Sequence, residues 1–252
     1  PAFAWKPVHY LITVDKDGRC LGISATQGKQ SSKGNKPIIK PKEYRCPDIG
    51  DRASQKQAGL LCDVTPYVFG SGPWSNGKTG GSKKHDENRR TFLRVLEDAA
   101  QAVPNDQSLQ AVCQFLNQPV GHLRELLGRY KIAPKIGARF AFVLAADGDK
   151  PAFTRHELQQ YWQKHYADRE EKKARGAPQS PCLTCGVVRP VVESHERQII
   201  GIPGGARVRL VSFDKQAFQS QGLEKSFNAP MCGKCVDAYT LGLNNLLRGE
   251  QT

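Results

Sequence analysis

Along the first quarter of the chain, apolar and polar positions alternate as in a β-hairpin. Val8-His-Tyr-Leu-Ile-Thr-Val14 is β-branched and aromatic-rich and predicts a strand. Asp17-Gly18 supplies a tight turn, and Cys20 to Thr26 predicts the returning strand. From Gly28 to Arg45 the alternation collapses and a basic loop is expected. Leu60 to Val64 and Tyr67-Val-Phe69 read as a short buried segment entering a second loop, Gly70 to Lys84, which holds five glycines. Helical spacing then takes over. Phe92, Leu93, Leu96, Ala99, Ala100 and Val103 form one stripe, ended by Pro104-Asn105. Leu109, Val112, Phe115 and Leu116 form a second; Leu123, Leu126, Leu127 and Tyr130 form a third after Pro119. These three predict a small helical insertion.

Ala138 to Leu144 predicts a strand returning to the sheet, and Asp147-Gly148 a turn. Thr154 and Glu157 have the spacing of a capping box ahead of a helix through Leu158, Trp162 and Tyr166. The mixed charges of Arg169 to Arg175 predict a solvated helix end, and Gly176 to Pro181 a linker. Farther on, Gln198 to Ile202 and Arg207 to Phe213 read as strands around a Pro203-Gly-Gly205 turn. Val236, Tyr239, Thr240, Leu243, Leu246 and Leu247 mark a closing helix. The predicted class is α+β: a mixed or antiparallel sheet with a helical insertion and a four-cysteine zinc-knuckle module. Residues 1–176 read as an α+β nucleic-acid-binding domain with basic loops. Residues 177–252 read as the zinc-knuckle module with its closing helix.

Composition sharpens this picture. The 252 residues are 38% apolar, with 24 glycines and 16 prolines, so long loops around a modest core are expected. Lys and Arg number 37 against 24 acidic residues, a formal charge of +13. Such an excess favours a polyanionic partner, because neutralising phosphates releases counterions. No apolar run is long enough for a membrane span, and no signal-peptide pattern is present. The chain opens on Pro1 rather than Met and reads as a processed chain or a piece of a longer one.

The eight cysteines carry the sharpest chemistry. Four fall in two C-x2-C doublets, Cys182-Leu-Thr-Cys185 and Cys232-Gly-Lys-Cys235, separated by 46 residues. A two-residue gap lets a tight turn aim both sulfurs at one ion, and two such doublets supply the tetrahedral thiolate set of a structural zinc site. One doublet alone would suit a redox pair, and four reduced buried thiols without metal is the bland alternative. Cys20, Cys46, Cys62 and Cys113 are scattered; Cys62 and Cys113 read as small apolar core residues in a reducing compartment. No Walker loop, nucleophile elbow or dinucleotide fingerprint is present, and no enzymatic activity is expected.

Between the doublets lies a distinctive run. Leu210-Val-Ser-Phe-Asp-Lys-Gln-Ala-Phe218 is followed by Ser220, Gly222, Glu224, Asn228-Ala-Pro230, Ala238-Tyr-Thr240 and Leu243-Asn244. This run resembles the signature of the type I-C CRISPR large subunit. The first doublet with Gly201-Ile-Pro-Gly204 fits its lead-in, and Trp5 to Tyr10, Asp17-Gly18, Cys62-Asp63, Tyr67-Val68 and Gly70 look like the family's amino-terminal half. The resemblance implies a cytoplasmic prokaryotic subunit of Cascade, the RNA-guided surveillance complex. Such a subunit sits near the 5′ end of the crRNA, recognises the protospacer-adjacent motif (PAM) in double-stranded target DNA, and helps open the duplex. Its implied partners are the crRNA, the backbone and crRNA 5′-end subunits, and the helicase-nuclease that the full system recruits. The family usually continues into a carboxy-terminal helical bundle, which this chain would lack or carry separately.

On this reading, DNA contacts fall in the two basic loops. Lys29, Gln30, Lys33, Asn35 and Lys36 come from the first, and Trp74, Asn76, Lys78, Lys83 and Lys84 from the second. Asn35 and Asn76 are candidate groove readers, and the lysines would hold phosphates. Trp74 could stack on a base or wedge a duplex, or equally pack down on the core. Lys215, Gln219, Lys225 and Asn228 could meet nucleic acid or a neighbouring subunit; Asn228 could equally serve only the turn before Pro230. A reading from another class is a zinc-stabilised HNH-type endonuclease with His195 as general base. Against it, Val236 stands after Cys235 where that layout expects a histidine.

Overall fold

The computed structural model describes residues 2–28, 30–33, 36–50, 57–75, 79–195, 197–202, 207–213, 215–219 and 222–247; for 30–33, 36–39, 79–81 and 173 it describes the backbone alone. The chain divides into two compact units, Ala2–Ile49 with Ser54–Lys164, and His165–Thr252 with Gly50–Ala53.

The first unit opens with β1 (Phe3–Val8), β2 (Tyr10–Val14) and β3 (Cys20–Ala25). The Asp17-Gly18 turn joins β2 to β3 as an antiparallel pair. Gly18 takes φ +73°, and a Cβ there would stand 2.7 Å from Gln114 Cβ and 2.8 Å from the Phe115 nitrogen. Only glycine meets both demands, left-handed backbone and close approach to a helix. Gly18→Ala is expected to cost roughly 2–4 kcal/mol, read as a lowered melting temperature. An unchanged melt would show that the turn has room this geometry denies it.

The stretch expected as a basic loop instead forms β4 (Gln30–Lys33), β5 (Lys36–Ile39) and β6 (Lys42–Pro47). β4 and β5 form a hairpin whose last cross-strand pair is Lys33 and Lys36, while β6 pairs with β1. Strand pairing rests on backbone hydrogen bonds, so a polar, lysine-rich hairpin leaves no apolar alternation to read.

β7 (Cys62–Val64) leads into α1 (Thr65–Phe69), a 3-10 turn at Pro73–Ser75, and α2 (Thr79–Ala102). The second expected loop is therefore shorter than its glycines suggested: α2 takes in Gly80 and Gly81, where packing farther along the helix outweighs poor propensity. α3 (Gln107–Leu116), capped by the Asp106 carboxylate accepting from the Leu109 amide, and α4 (Val120–Arg129) complete the helical insertion. β8 (Arg139–Leu144) then enters the sheet between β2, to which it runs parallel, and β7, to which it runs antiparallel. The four-stranded order β3-β2-β8-β7 confirms a mixed sheet.

Phe140 and Phe142, two residues apart, share one face of β8. Phe69 of α1 meets Phe140 edge-on at 4.9 Å, and Phe92 of α2 and Phe115 of α3 both contact Phe142. The insertion thus covers that face of the sheet. α5 (His156–Ala174) starts later than the capping box would place it: the Thr154 hydroxyl donates to the Pro151 carbonyl instead. Trp162 on this helix is buried and donates its indole N–H to the Ala2 carbonyl.

The second unit contains β9 (Gln179–Pro181), β10 (Val188–Pro190) and α6 (Gly233–Leu247). β9 lies where a linker was expected. The two strands expected at 198–202 and 207–213 reduce, among the described residues, to one bridge between Ile199 and Val208; the turn expected at Pro203 to Gly205 lies outside the described residues. Asn244 on α6 fixes this segment: its side chain accepts from the Ile200 amide and donates to the Gln198 carbonyl. No helix among the described residues is long and apolar enough to cross a membrane.

Candidate metal centre

β9 and β10 pair antiparallel, and the turn between them holds the first cysteine doublet. The Cys182 amide donates to the Val187 carbonyl and the Gly186 amide to the Cys182 carbonyl, which folds Cys182 and Cys185 into one tight knuckle. The second doublet enters α6. Cys232 bridges to Val191, and the Cys235 amide donates to the Cys232 carbonyl within the first turn. The Leu183 amide donates to the Pro230 carbonyl and so ties one knuckle to the other.

The result is a four-sulfur cluster: the Sγ atoms of Cys182, Cys185, Cys232 and Cys235 all lie within 4.8 Å of one another. A tetrahedral zinc with Zn–S of ~2.3 Å sets its sulfurs about 3.8 Å apart, so the cluster can close on an ion with small side-chain adjustments. The donor set fits as well. The second doublet sits at a helix amino terminus, where aligned N–H dipoles favour negative charge. Burial opposes ionisation of Cys182, but backbone N–H groups of Cys232, Cys185 and Thr184 aimed at its sulfur hold it down to about 6. Burial and hydrogen bonds with the other cysteines push Cys235 up to about 12. A cation bound by the four sulfurs would displace the Cys235 proton. Four thiolates fill a tetrahedral shell and leave no open position for a substrate, which makes the centre structural in kind.

Around it, the distinctive run between the doublets serves conformation at several positions. Asn228 donates its side-chain amide to the Leu223 and Lys225 carbonyls and so holds the turn before Pro230. Lys225, at φ +51°, pairs with Glu193 in an exposed ion pair. Lys215 and Gln219 are exposed. Asp237 and Arg197 carry no sequence signal: Asp237 accepts from the Tyr166 hydroxyl and from Arg197, each at 2.9 Å. Burial works against the Asp237 carboxylate, but the Arg197 guanidinium helps hold it below the usual range.

The expected DNA contacts are placed unevenly. Lys83 and Lys84 are exposed near the start of α2. Gln30, Lys33 and Lys36 lie on the β4–β5 hairpin. Lys29, Asn35, Asn76 and Lys78 lie outside the described residues. Trp74 departs from the DNA-contact expectation. It is 9% exposed, stands edge-on to Phe69, and donates its indole N–H to the Gly70 carbonyl at 2.9 Å, so the ring serves the core. His195, the candidate base of the endonuclease reading, is fully buried. Its Nδ1 lies 2.8 Å from the Tyr239 hydroxyl, and its buried Nε2 has no hydrogen-bond partner among the described residues. A general base must reach the proton it takes, and this ring faces protein on every side.

The family model described as CRISPR-associated protein (Cas_Csd1) matches residues 1–252. Comparison with curated proteins gives no match. With the match running through both units and the four-cysteine centre alike, the chain belongs to the Cas_Csd1 family of CRISPR-associated proteins.

Proposed function

We propose that this chain is the large subunit of a type I-C Cascade complex, a non-enzymatic component that recognises the PAM in duplex DNA and aids duplex opening near the crRNA 5′ end. The observation that carries this reading is the family match over residues 1–252. The formal charge of +13 supports it, because both implied nucleic acids are polyanions. The cation at the four-cysteine centre is zinc, which the soft thiolate set favours, and its role is to hold the signature run between its own ligands. The proposed partners are crRNA, target duplex and the neighbouring Cascade subunits.

Within this reading, Lys83 and Lys84 hold phosphates, while Asn76 and Asn35 read the groove. In the assembled complex, Lys83→Glu with Lys84→Glu is expected to weaken target-duplex binding about tenfold or more and flatten its salt dependence by roughly two counterions. PAM preference should persist, since phosphate contacts carry no base information. Asn76→Ala should do the reverse, relaxing PAM preference with a smaller loss of affinity. A mobility-shift series across salt separates the two; unchanged affinity and unchanged preference in both variants would remove Asn76, Lys83 and Lys84 from the DNA path.

A further inference from the structure

The scattered cysteines contain a second pair. Cys46 is the penultimate residue of β6 and Cys62 begins β7, 16 residues apart in sequence, yet their Sγ atoms are 3.4 Å apart and hydrogen-bonded. Both are buried, at 0% and 1% exposure, in the main core. β6 belongs to the two-stranded sheet with β1, whereas β7 is an edge strand of the four-stranded sheet. The two thiols are thus the point at which these sheets touch through reactive atoms.

We infer that Cys46 and Cys62 form a reversible disulfide under peroxide, a modification site that staples β6 to β7. The sulfurs need to close only from 3.4 Å to the ~2.05 Å of a bond. Cationic groups attend the pair: Arg139, which follows Ala138 at the mouth of β8, and Lys6, which is salt-bridged to the buried Asp48 at 2.7 Å. Burial opposes a thiolate at Cys62, but the Cys46 hydrogen bond and the Arg139 charge overcome it and hold Cys62 below the ordinary thiol value. For Cys46 the shared hydrogen bond and burial both act upward. Cys62 is thus the sulfur disposed to attack, with Cys46 3.4 Å away as the resolving thiol.

The chemistry balances with hydrogen peroxide as the oxidant. The Cys62 thiolate attacks one peroxide oxygen, the O–O bond breaks, and a sulfenic acid and hydroxide form; the hydroxide takes up the proton that Cys62 shed and becomes water. Cys46 sulfur then attacks the Cys62 sulfur, the S–O bond breaks, and the Cys46 proton leaves with the hydroxyl as a second water. Two thiols are oxidised to one disulfide and one peroxide is reduced to two waters. Neither step uses the four metal-site cysteines.

The test is differential alkylation and peptide mapping of the full chain after brief, dilute hydrogen peroxide. The expected result is a linked peptide joining Cys46 to Cys62, lost again on treatment with dithiothreitol. Oxidised protein should melt about 5 °C higher, since the bridge closes a loop of about 15 residues. Cys46→Ala should abolish the linked peptide and the shift. Should that variant fail to fold, the wild-type map still decides. Recovery of Cys46 and Cys62 as separately alkylated or over-oxidised residues, with no linked peptide, would overturn the inference.

Discussion

Replacing Cys232 with serine is expected to unfold the carboxy-terminal unit while the amino-terminal unit stays folded. The reason is the smallness of the core that unit has to itself. Among the described residues its buried apolar cluster is Cys182, Met231, Cys232 and Val236, with Val192, Cys235 and Tyr239 packed partly against it, and Val191 and Ile199 are also buried. Two of the cluster's four are candidate metal ligands. Around them Leu183, Val188, Leu210 and Leu246 are more than half exposed. So little buried area cannot offset the conformational entropy of ordering the segment, and small units in that position rely on a metal or a disulfide. Structural zinc supplies apparent binding energies of about 10–16 kcal/mol in small peptides, all of it coupled to folding. Serine removes a thiolate and leaves three ligands, so metal stoichiometry should fall to near zero. Limited proteolysis with mass spectrometry checks the outcome: cuts should concentrate within residues 165–252 and spare 57–164. A serine variant that keeps both its metal and its protease resistance would show that the cluster is not what holds this unit together.

The second large effect belongs to the other unit. Arg89 on α2 is 6% exposed and reaches two carbonyls, Val68 at the end of α1 and Leu116 at the end of α3, the latter at 2.6 Å. One guanidinium therefore satisfies orphan carbonyls of two helices at once. Burial, aided by the nearby Arg124 charge, lowers its affinity for the proton to about 10, so it remains charged at neutral pH. Arg89→Met keeps most of the volume but strands both carbonyls away from water. Each stranded acceptor costs about 1–3 kcal/mol, and the lost charge-assisted bonds add to this, for roughly 3–5 kcal/mol in all. Urea denaturation followed by circular dichroism should show the midpoint of the amino-terminal unit falling accordingly. A loss under about 1 kcal/mol would mean that water reaches those carbonyls once the arginine is gone.

Elements with an apolar period were legible in the sequence: β2, β8 and the three helices of the insertion follow their apolar residues, whereas α6 forms where its stripe placed it but buries Val236, Thr240 and Asn244 and leaves Leu246 and Leu247 exposed. The clustering of the four cysteines was legible because C-x2-C is a local geometric device that needs little from the rest of the fold. What escaped has a common physical cause. The β4–β5 hairpin and β6 are held by backbone hydrogen bonds without apolar alternation, β6 burying only its end at Cys46 and Pro47, and α2 starts through glycines that propensity assigns to a loop. Thr154 has capping spacing, yet its hydroxyl finds a nearer acceptor. Trp74 shows the limit from the other side, since an aromatic among lysines reads equally as a stacking platform or a core residue until its neighbours are known. The Asp237 ion pair, the Asn244 bracket and the Cys46–Cys62 contact join positions distant in sequence, and no spacing rule reports them.

On the proposed function, this chain works inside an RNA-guided complex rather than alone. Co-expression with the other Cas proteins of its system and a CRISPR array, followed by purification through a tag on this chain, tests that most directly. The expected product is a single ribonucleoprotein that contains crRNA and about one zinc per copy of this chain through its four cysteines. Recovery of the chain by itself, folded and metal-bound but free of crRNA and of the other Cas proteins, would contradict it.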